Sequence, residues 1–593
     1  MDMSFPLVSA PALAAPPAAA RRPTGNDIDR RVRAAVGRTT GTMSVASGLL
    51  AAADWAMNLT VSPGKQMELG LQFLDYVSQV ARYDIACWIA GDGDTRRFIE
   101  PPAHDRRFAD DAWLQWPFNV LHQAFLLYEQ LWSQATHGVS GVERHHEELV
   151  SFAARQLLDV ASPGNALLTN PVALQRTYAE GGQNLMRGFG NALLDMQRLA
   201  AGMPPPGAEN FVVGRDVAVT PGKVVLKNRL MELIQYAPST AEVIPEPVLL
   251  VPSWIMKYYI LDLSPGNSLV KYLVDRGHTV FCVSWKNPGA DERDLGMDDY
   301  LRLGLWSALD AVHAIVPDRK VHALGYCNGG TLLAIGAAAM ARDGIDRLAS
   351  MTLLAAQTDF KEPGELGLFI DEAQITLLEA QMAETGYLTT GQMAGAFHML
   401  RSNDLLWSRV VSHYLLGESG DMNDLMAWNA DATRLPARMH SEYLRQLFLH
   451  DDLAENRYIV GGRPVTLGDV KLPVFLVGTV TDHVAPWRSV YKLHYLSPAE
   501  ITFALTSGGH NAGIVNPPGK GHRRYQLLTS GAGESRLDPD RWLAAAPELE
   551  GSWWPAWHEW LRSRSAAPAD PPRMGIAGER RLEDAPGRYV KEK

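Results

Sequence analysis

A chain of 593 residues is too long for one compact core, which implies one large domain with a second region beside it. Apolar residues make up 46% and charged residues 20%, the balance of a globular enzyme, and a net charge of −11 excludes a protein built to coat nucleic acid. Cys87, Cys282 and Cys327 lie far apart with neither zinc-ligand nor disulfide-framework spacing, so no metal and a reducing compartment are expected.

In chain order, residues 1 to about 45 read as a disordered tail of a cytoplasmic protein. No basic residue precedes the apolar run from Phe5 to Ala20, and Pro6, Pro11, Pro16 and Pro17 interrupt it, so it is not a signal peptide. No stretch reaches the roughly 18 apolar residues of a membrane span. Residues 46–205 read as a helical domain. Trp113 to Trp132 carries aromatic residues at helical intervals, more simply read as buried packing than as a surface anchor. A second amphipathic helix runs from Glu147 to Val160 and stops at Ser162-Pro163-Gly164.

Pro204-Pro205-Pro206-Gly207 marks a boundary. Beyond it, Val212 to Glu232 predicts a β-hairpin turning at Pro221-Gly222. Short apolar strands follow at Pro247–Val251, Thr279–Ser284, Val321–Leu324, Met351–Leu354, Val474–Val477 and Ile501–Leu505, the last of them closing the series. Helical segments lie between most of them. That alternation predicts an α/β fold, a mostly parallel sheet covered on both faces, over residues 206–593. Residues 357–470 break the rhythm and read as a helical cap inserted over an active site.

Gly325-Tyr326-Cys327-Asn328-Gly329-Gly330 sits between a strand and an Ala-rich helix. This is a G-x-C-x-G nucleophile elbow, in which glycines permit a very tight turn and the helix N-terminus favours the thiolate. The plainer alternative, a buried cysteine in a glycine-rich turn, does not account for the flanking strand and helix. In this fold the acid and then the histidine follow late strands. Asp482 comes after Val474–Val477, and His510 sits in Gly508-Gly509-His510-Asn511-Ala512-Gly513 after Ile501–Leu505. His483 precedes that strand and is assigned a supporting role. The oxyanion hole is expected from the backbone N–H of Asn328 and, in the loop after an early strand, of Trp254. A cysteine nucleophile suits a thioester donor, and a cap that excludes water favours transfer over hydrolysis.

Further motifs carry a resemblance. They are Phe152-Ala153-Ala154-Arg155-Gln156, Lys257-Tyr258-Tyr259-Ile260-Leu261-Asp262-Leu263, Val283-Ser284-Trp285-Lys286-Asn287-Pro288 and Arg401-Ser402-Asn403-Asp404-Leu405-Leu406-Trp407. Others are Asp482-His483-Val484-Ala485-Pro486-Trp487, His510 through Pro518, Gly551-Ser552-Trp553-Trp554-Pro555 and Pro586-Gly587-Arg588-Tyr589-Val590. The chain resembles the class I poly(3-hydroxyalkanoate) synthases over nearly its whole length beyond the tail. The resemblance implies an α/β-hydrolase fold and polymerisation of (R)-3-hydroxyacyl-CoA into polyester. It implies Cys327, Asp482 and His510 as the triad, with His510 activating the thiol and Asp482 helping to activate the 3-hydroxyl. Coenzyme A then enters as part of the substrate and leaves, with no other cofactor. A homodimer at the surface of cytoplasmic polymer granules is implied as well.

Two positions depart from the family pattern. Met256 stands where Asn is frequent. Asn328 replaces an aliphatic residue and is expected to alter rate or substrate preference. A thioesterase or polyester depolymerase on the same fold is the first alternative. A granule-coating scaffold that has kept the fold is the second.

Overall fold

The computed structural model describes residues 25–40, 43–90, 97–102, 105–393, 395, 406–578 and 582–593. The N-terminal region is helical: α1 Gly25–Thr40, α2 Val45–Thr60, α3 Pro63–Ala90, α4 Phe118–Thr136, α5 Arg144–Ala161, α6 Pro171–Ala179 and α7 Gln183–Ala200. The expected tail to residue 45 is thus corrected over α1, while residues 1–24 lie outside the described residues. α1 persists because it lies against the cap. A Cβ added at Gly37 would stand 2.4 Å from the Gln381 side chain, and Arg38 pairs with Glu384.

The Trp113–Trp132 stretch is two elements rather than one. Asp110 caps a single tight turn, Asp111–Leu114, by accepting a bond from Ala112 N. Pro117, with no N–H to give, then separates it from α4. Trp113 is buried edge-on against Phe108 with ring centroids 4.8 Å apart. Most of this stripe is therefore packing, with only Trp116, Leu121 and Tyr128 among its large apolar side chains exposed. α5 starts three residues before the predicted Glu147, where Glu143 caps it by accepting from His146 N.

The catalytic region opens with β1 Gly222–Lys227 and β2 Met231–Tyr236. Their hairpin turns at Asn228–Leu230 and not at the predicted Pro221-Gly222, which only enters β1. The Asn228 side chain makes the turn by accepting from Leu230 N and Met231 N at 2.8 and 3.0 Å. The strands β3 Ile244–Val251, β4 His278–Trp285, β5 Val321–Tyr326 and β6 Leu348–Leu354 follow. The cap contains a ribbon of β7 Tyr387–Leu388 with β8 Leu435–Pro436, a second of β9 Ile459–Val460 with β10 Arg463–Pro464, and several helices. The core resumes with β11 Val474–Thr479 and β12 Ile501–Thr506.

β12 is not the final strand. β13 Arg524–Ser530 and β14 Glu548–Glu550 extend the sheet antiparallel beyond it, and β15 Glu583–Asp584 pairs with β1 at the far edge. Among the described residues the sheet has eleven strands in the order β14-β13-β12-β11-β6-β5-β3-β4-β2-β1-β15. From β12 to β4 all neighbours are parallel. These central strands are buried on both faces, hence their unbroken Val/Leu/Ile runs. β13 mixes buried, half-buried and exposed positions and β14 is exposed throughout, so they lack that signature.

α7 grips the cap. A Cβ at Gly188 would lie 2.0 Å from Tyr414 O. Asn184 Nδ2 donates to Leu415 O at 2.7 Å and Asn191 Nδ2 to His413 O at 3.1 Å, while Asp195 accepts from both Arg409 and Tyr414. Among the described residues no helix is long and apolar enough to cross a membrane.

Candidate active site

The parallel strands β5, β11 and β12 end at the same edge of the sheet, with β6 between β5 and β11, and each leads to one reactive group. At the end of β5, Cys327 takes φ 54° and ψ −129° before the helix Asn328–Arg342 begins. That positive φ is costly for a non-glycine residue and is held by its surroundings. Only glycine fits on either side. A Cβ at Gly325 would stand 2.3 Å from Gly330 Cα, and one at Gly329 would stand 2.3 Å from Val251 O. Cys327 N donates to Leu354 O at 2.9 Å, fixing the elbow to β6. Cys327 is partly exposed, whereas Cys87 and Cys282 are buried. Burial pushes the Cys282 thiol well up, which leaves it inert.

Asp482 follows β11. Its side chain is fully buried and four donors reach it. Val484 N and Ala485 N bond Oδ1 at 2.9 and 2.8 Å, and Thr479 Oγ1 bonds Oδ2 at 2.9 Å. His510 Nδ1 completes the set at 2.8 Å from Oδ2. Burial pushes the carboxyl up, but the charge and hydrogen bond of His510 and the two backbone N–H groups outweigh it and hold it below its ordinary value. Because a carboxylate only accepts, Nδ1 carries the proton and Nε2 is left as the working nitrogen.

For His510, burial alone pushes the ring down. The neighbouring Asp482 and Cys327 side chains prevail and raise it well above its ordinary value. The loop is drawn in by glycine at two places. Gly508 adopts φ 109°, and a Cβ at Gly513 would stand 2.6 Å from the Thr479 methyl. The expected triad is therefore brought together. His483 lines the cavity beside the triad.

Sequence reasoning missed the groups that hold this loop. Tyr326 lies under His510 with ring centroids 5.6 Å apart, and its hydroxyl donates to Asn511 Oδ1 at 2.6 Å. Trp553 Nε1 and Trp554 Nε1 donate to Gly513 O and Ile514 O, both at 3.0 Å. The Gly-Ser-Trp-Trp-Pro motif was the only available signal, since nothing local ties it to residue 513.

The two expected oxyanion donors also meet. Asn328 N–H lies in the first helical turn, where the helix itself supplies no acceptor. Trp254 N–H, however, donates to Asn328 Oδ1 at 3.3 Å, so the second expected donor is engaged.

Cys327, Asn328 and His510 open into a cavity of about 1660 Å³ between core, cap and α7. Tyr443 and Phe448 of the cap and Leu194 of α7 contribute apolar wall. Arg409, Arg434 and Lys593 line it too, Arg409 paired with Asp195 and Lys593 with Asp431, both also on the wall.

Known proteins share this arrangement of sequence. The model for the alpha/beta hydrolase fold matches residues 246–517. The models for the poly-beta-hydroxybutyrate polymerase (PhaC) N-terminus and the poly-beta-hydroxybutyrate polymerase N-terminal segment match residues 104–273 and 23–65. The chain is 42% identical over 506 residues to a poly(3-hydroxyalkanoate) polymerase of Methylorubrum extorquens, covering 84% of this chain and 82% of that one. It is 39% identical to the polymerase subunit PhaC of Rhizobium meliloti, covering 83% and 81%. Against the PhaC subunit of Cupriavidus necator it is again 39% identical, covering 83% and 84%. With identity at this level over most of both chains, the chain belongs to the poly(3-hydroxyalkanoate) polymerase family.

Proposed function

We propose that the protein polymerises 3-hydroxyacyl-CoA thioesters into poly(3-hydroxyalkanoate) through an acyl-enzyme at Cys327, releasing coenzyme A. The observation that carries this reading is a partly exposed cysteine on a nucleophile elbow beside a histidine whose other nitrogen is bonded to a buried carboxylate.

His510 Nε2 takes the Cys327 thiol proton as Sγ attacks the thioester carbonyl carbon. The tetrahedral oxyanion forms beside the Asn328 N–H, while Trp254 N–H is held by Asn328 Oδ1. Collapse breaks the bond to the coenzyme A sulfur, which leaves with the proton from His510. The 3-hydroxyl of a second acyl group then gives its proton to His510 and attacks the Cys327 thioester. An ester forms and the thiol is restored.

Asp482 is fully buried and already accepts four hydrogen bonds. This supports a role in orienting His510, with His510 itself rather than Asp482 acting as base toward the hydroxyl. A cavity larger than the roughly 300–1000 Å³ of ordinary small-molecule sites supports a substrate with a long carrier and a growing chain. Arg434 on its wall suits a phosphate of coenzyme A, and Arg409 and Lys593 do so once parted from Asp195 and Asp431.

Family membership supports a homodimer at polymer granules in the cytoplasm. The exposed apolar side chains of α3, among them Leu71, Leu74, Ile85 and Trp88, fit contact with an apolar surface. Thioesterase and depolymerase chemistry is open to the same triad. The deciding experiment follows thiol release and turbidity from 3-hydroxybutyryl-CoA for the wild type and Cys327→Ala. Release with turbidity, both lost in the variant, supports the polymerase. Release into a clear solution with free hydroxy acid identifies a thioesterase.

A further inference from the structure

The oxyanion site contains a donor with nothing to bind. Asn328 is almost fully buried at the cavity wall, one residue from the nucleophile. Its Oδ1 accepts the Trp254 N–H. Its Nδ2 is buried and has no hydrogen-bond partner among the described residues. The amide cannot be turned round to relieve this, because a backbone N–H only donates and must face the oxygen. A buried amide N–H without an acceptor is costly in a folded protein and marks a place where a ligand atom belongs. The ligand atom that the reaction brings to this point is the acyl oxygen. It must sit close to the Asn328 backbone N–H as negative charge develops on it.

We propose that the Asn328 side chain is itself an oxyanion donor. Its Nδ2–H takes the place of the Trp254 N–H, while Oδ1 ties that N–H down and fixes the orientation of the amide. One residue then supplies both donors, its backbone N–H and its side-chain N–H, to the carbonyl oxygen of an acyl thioester. This rests on the thioester-transfer reading and adds to it an acyl-oxygen contact made by a side chain. It has a consequence opposite in sign to that of a simple plug. If Oδ1 merely blocked the Trp254 N–H, removing the amide would free that donor and leave turnover intact or faster.

The experiment uses the full chain with Asn328→Leu, which is close in volume and lacks both polar atoms, and Asn328→Asp, which keeps the acceptor and loses the donor. Coenzyme A release from 3-hydroxybutyryl-CoA is measured alongside the dissociation constants of two unreactive analogues. In one, the thioester sulfur is replaced by methylene, so a ketone keeps the acyl oxygen. In the other, a thioether lacks that oxygen. Both variants are expected to slow release by about 100-fold, the scale of one lost oxyanion donor. Leu is expected to weaken the ketone analogue about tenfold and leave the thioether within a factor of two. Equal changes for the two analogues, or release in the Leu variant that is unchanged or faster, overturn the proposal. Release by the wild type is the control. Its absence overturns the thioester reading together with this one, whereas a working wild type beside unaffected variants overturns this one alone.

Discussion

Asp482 and His510 form a charged pair whose consequences depend on pH. His510 is raised by Asp482, and as a base it acts only when deprotonated. The wild-type kcat/KM is therefore expected to climb with pH through that elevated value. Asp482→Asn removes the largest of the raising influences. Its ascending limb is expected at lower pH, with a plateau lower by about 10⁴-fold, the cost of a lost orienting carboxylate in a comparable triad. A limb that stays in place in the pH–rate profile would separate Asp482 from the titration of His510. The same pair has a stability signature. The depressed Asp482 contributes stability above its unfolded value of about 3.9 and loses it as pH falls through the folded one. The raised His510 contributes fully below about 6.5 and loses it as pH rises through its folded value. Asp482→Asn should thus lower Tm most between about pH 4 and 6.5. A flat difference across pH in thermal melts would contradict the pairing.

At the level of elements, the elbow and the loop after β12 are built by close approach rather than by propensity. Gly329→Ala puts a methyl 2.3 Å from Val251 O, so β3 and the nucleophile helix must part. A loss of about 1–3 kcal/mol is expected in denaturant melts, with turnover lost as Cys327 shifts. Trp553→Phe keeps an aromatic ring but removes the second ring of the buried indole and the bond to Gly513 O. It should cost about 2–3 kcal/mol and lower kcat with little change in KM, because the His510 loop loosens while the substrate cavity stays. These elements also show what the sequence makes legible. The doubly buried strands β3, β4, β5, β6, β11 and β12 announce themselves as apolar runs, and the triad residues follow from chain order after those strands. β13 and β14 do not, since β13 is buried at only two of its seven positions and the edge strand β14 is exposed throughout. The hairpin turn was misplaced because Pro-Gly is a strong local signal, whereas the Asn228 turn depends on one side-chain oxygen reaching two N–H groups. The contact between Trp554 and Ile514 spans 40 residues, and no local pattern reports it.

Across the whole molecule, the helical region and the hydrolase core meet through the cap. α7 holds the His413–Gly417 backbone by Asn184, Arg187 and Asn191, and its Leu194 lines the same cavity as Cys327. The N-terminal region is therefore part of the cavity wall, and under the proposed reaction that wall would keep water from the acyl group. Asn184→Ala combined with Asn191→Ala is expected to leave coenzyme A release within a few-fold and to raise the share of free hydroxy acid over polymer. A product ratio unchanged by chromatography would show that α7 has no part in excluding water. The central claim, covalent transfer through Cys327, is tested most directly by mixing the protein briefly with 3-hydroxybutyryl-CoA, quenching in acid and mapping peptides by mass spectrometry. A 3-hydroxyacyl adduct on the peptide containing Cys327, absent from Cys327→Ala, is the expected result. Undiminished coenzyme A release by Cys327→Ala, with no adduct on the wild type, would contradict it.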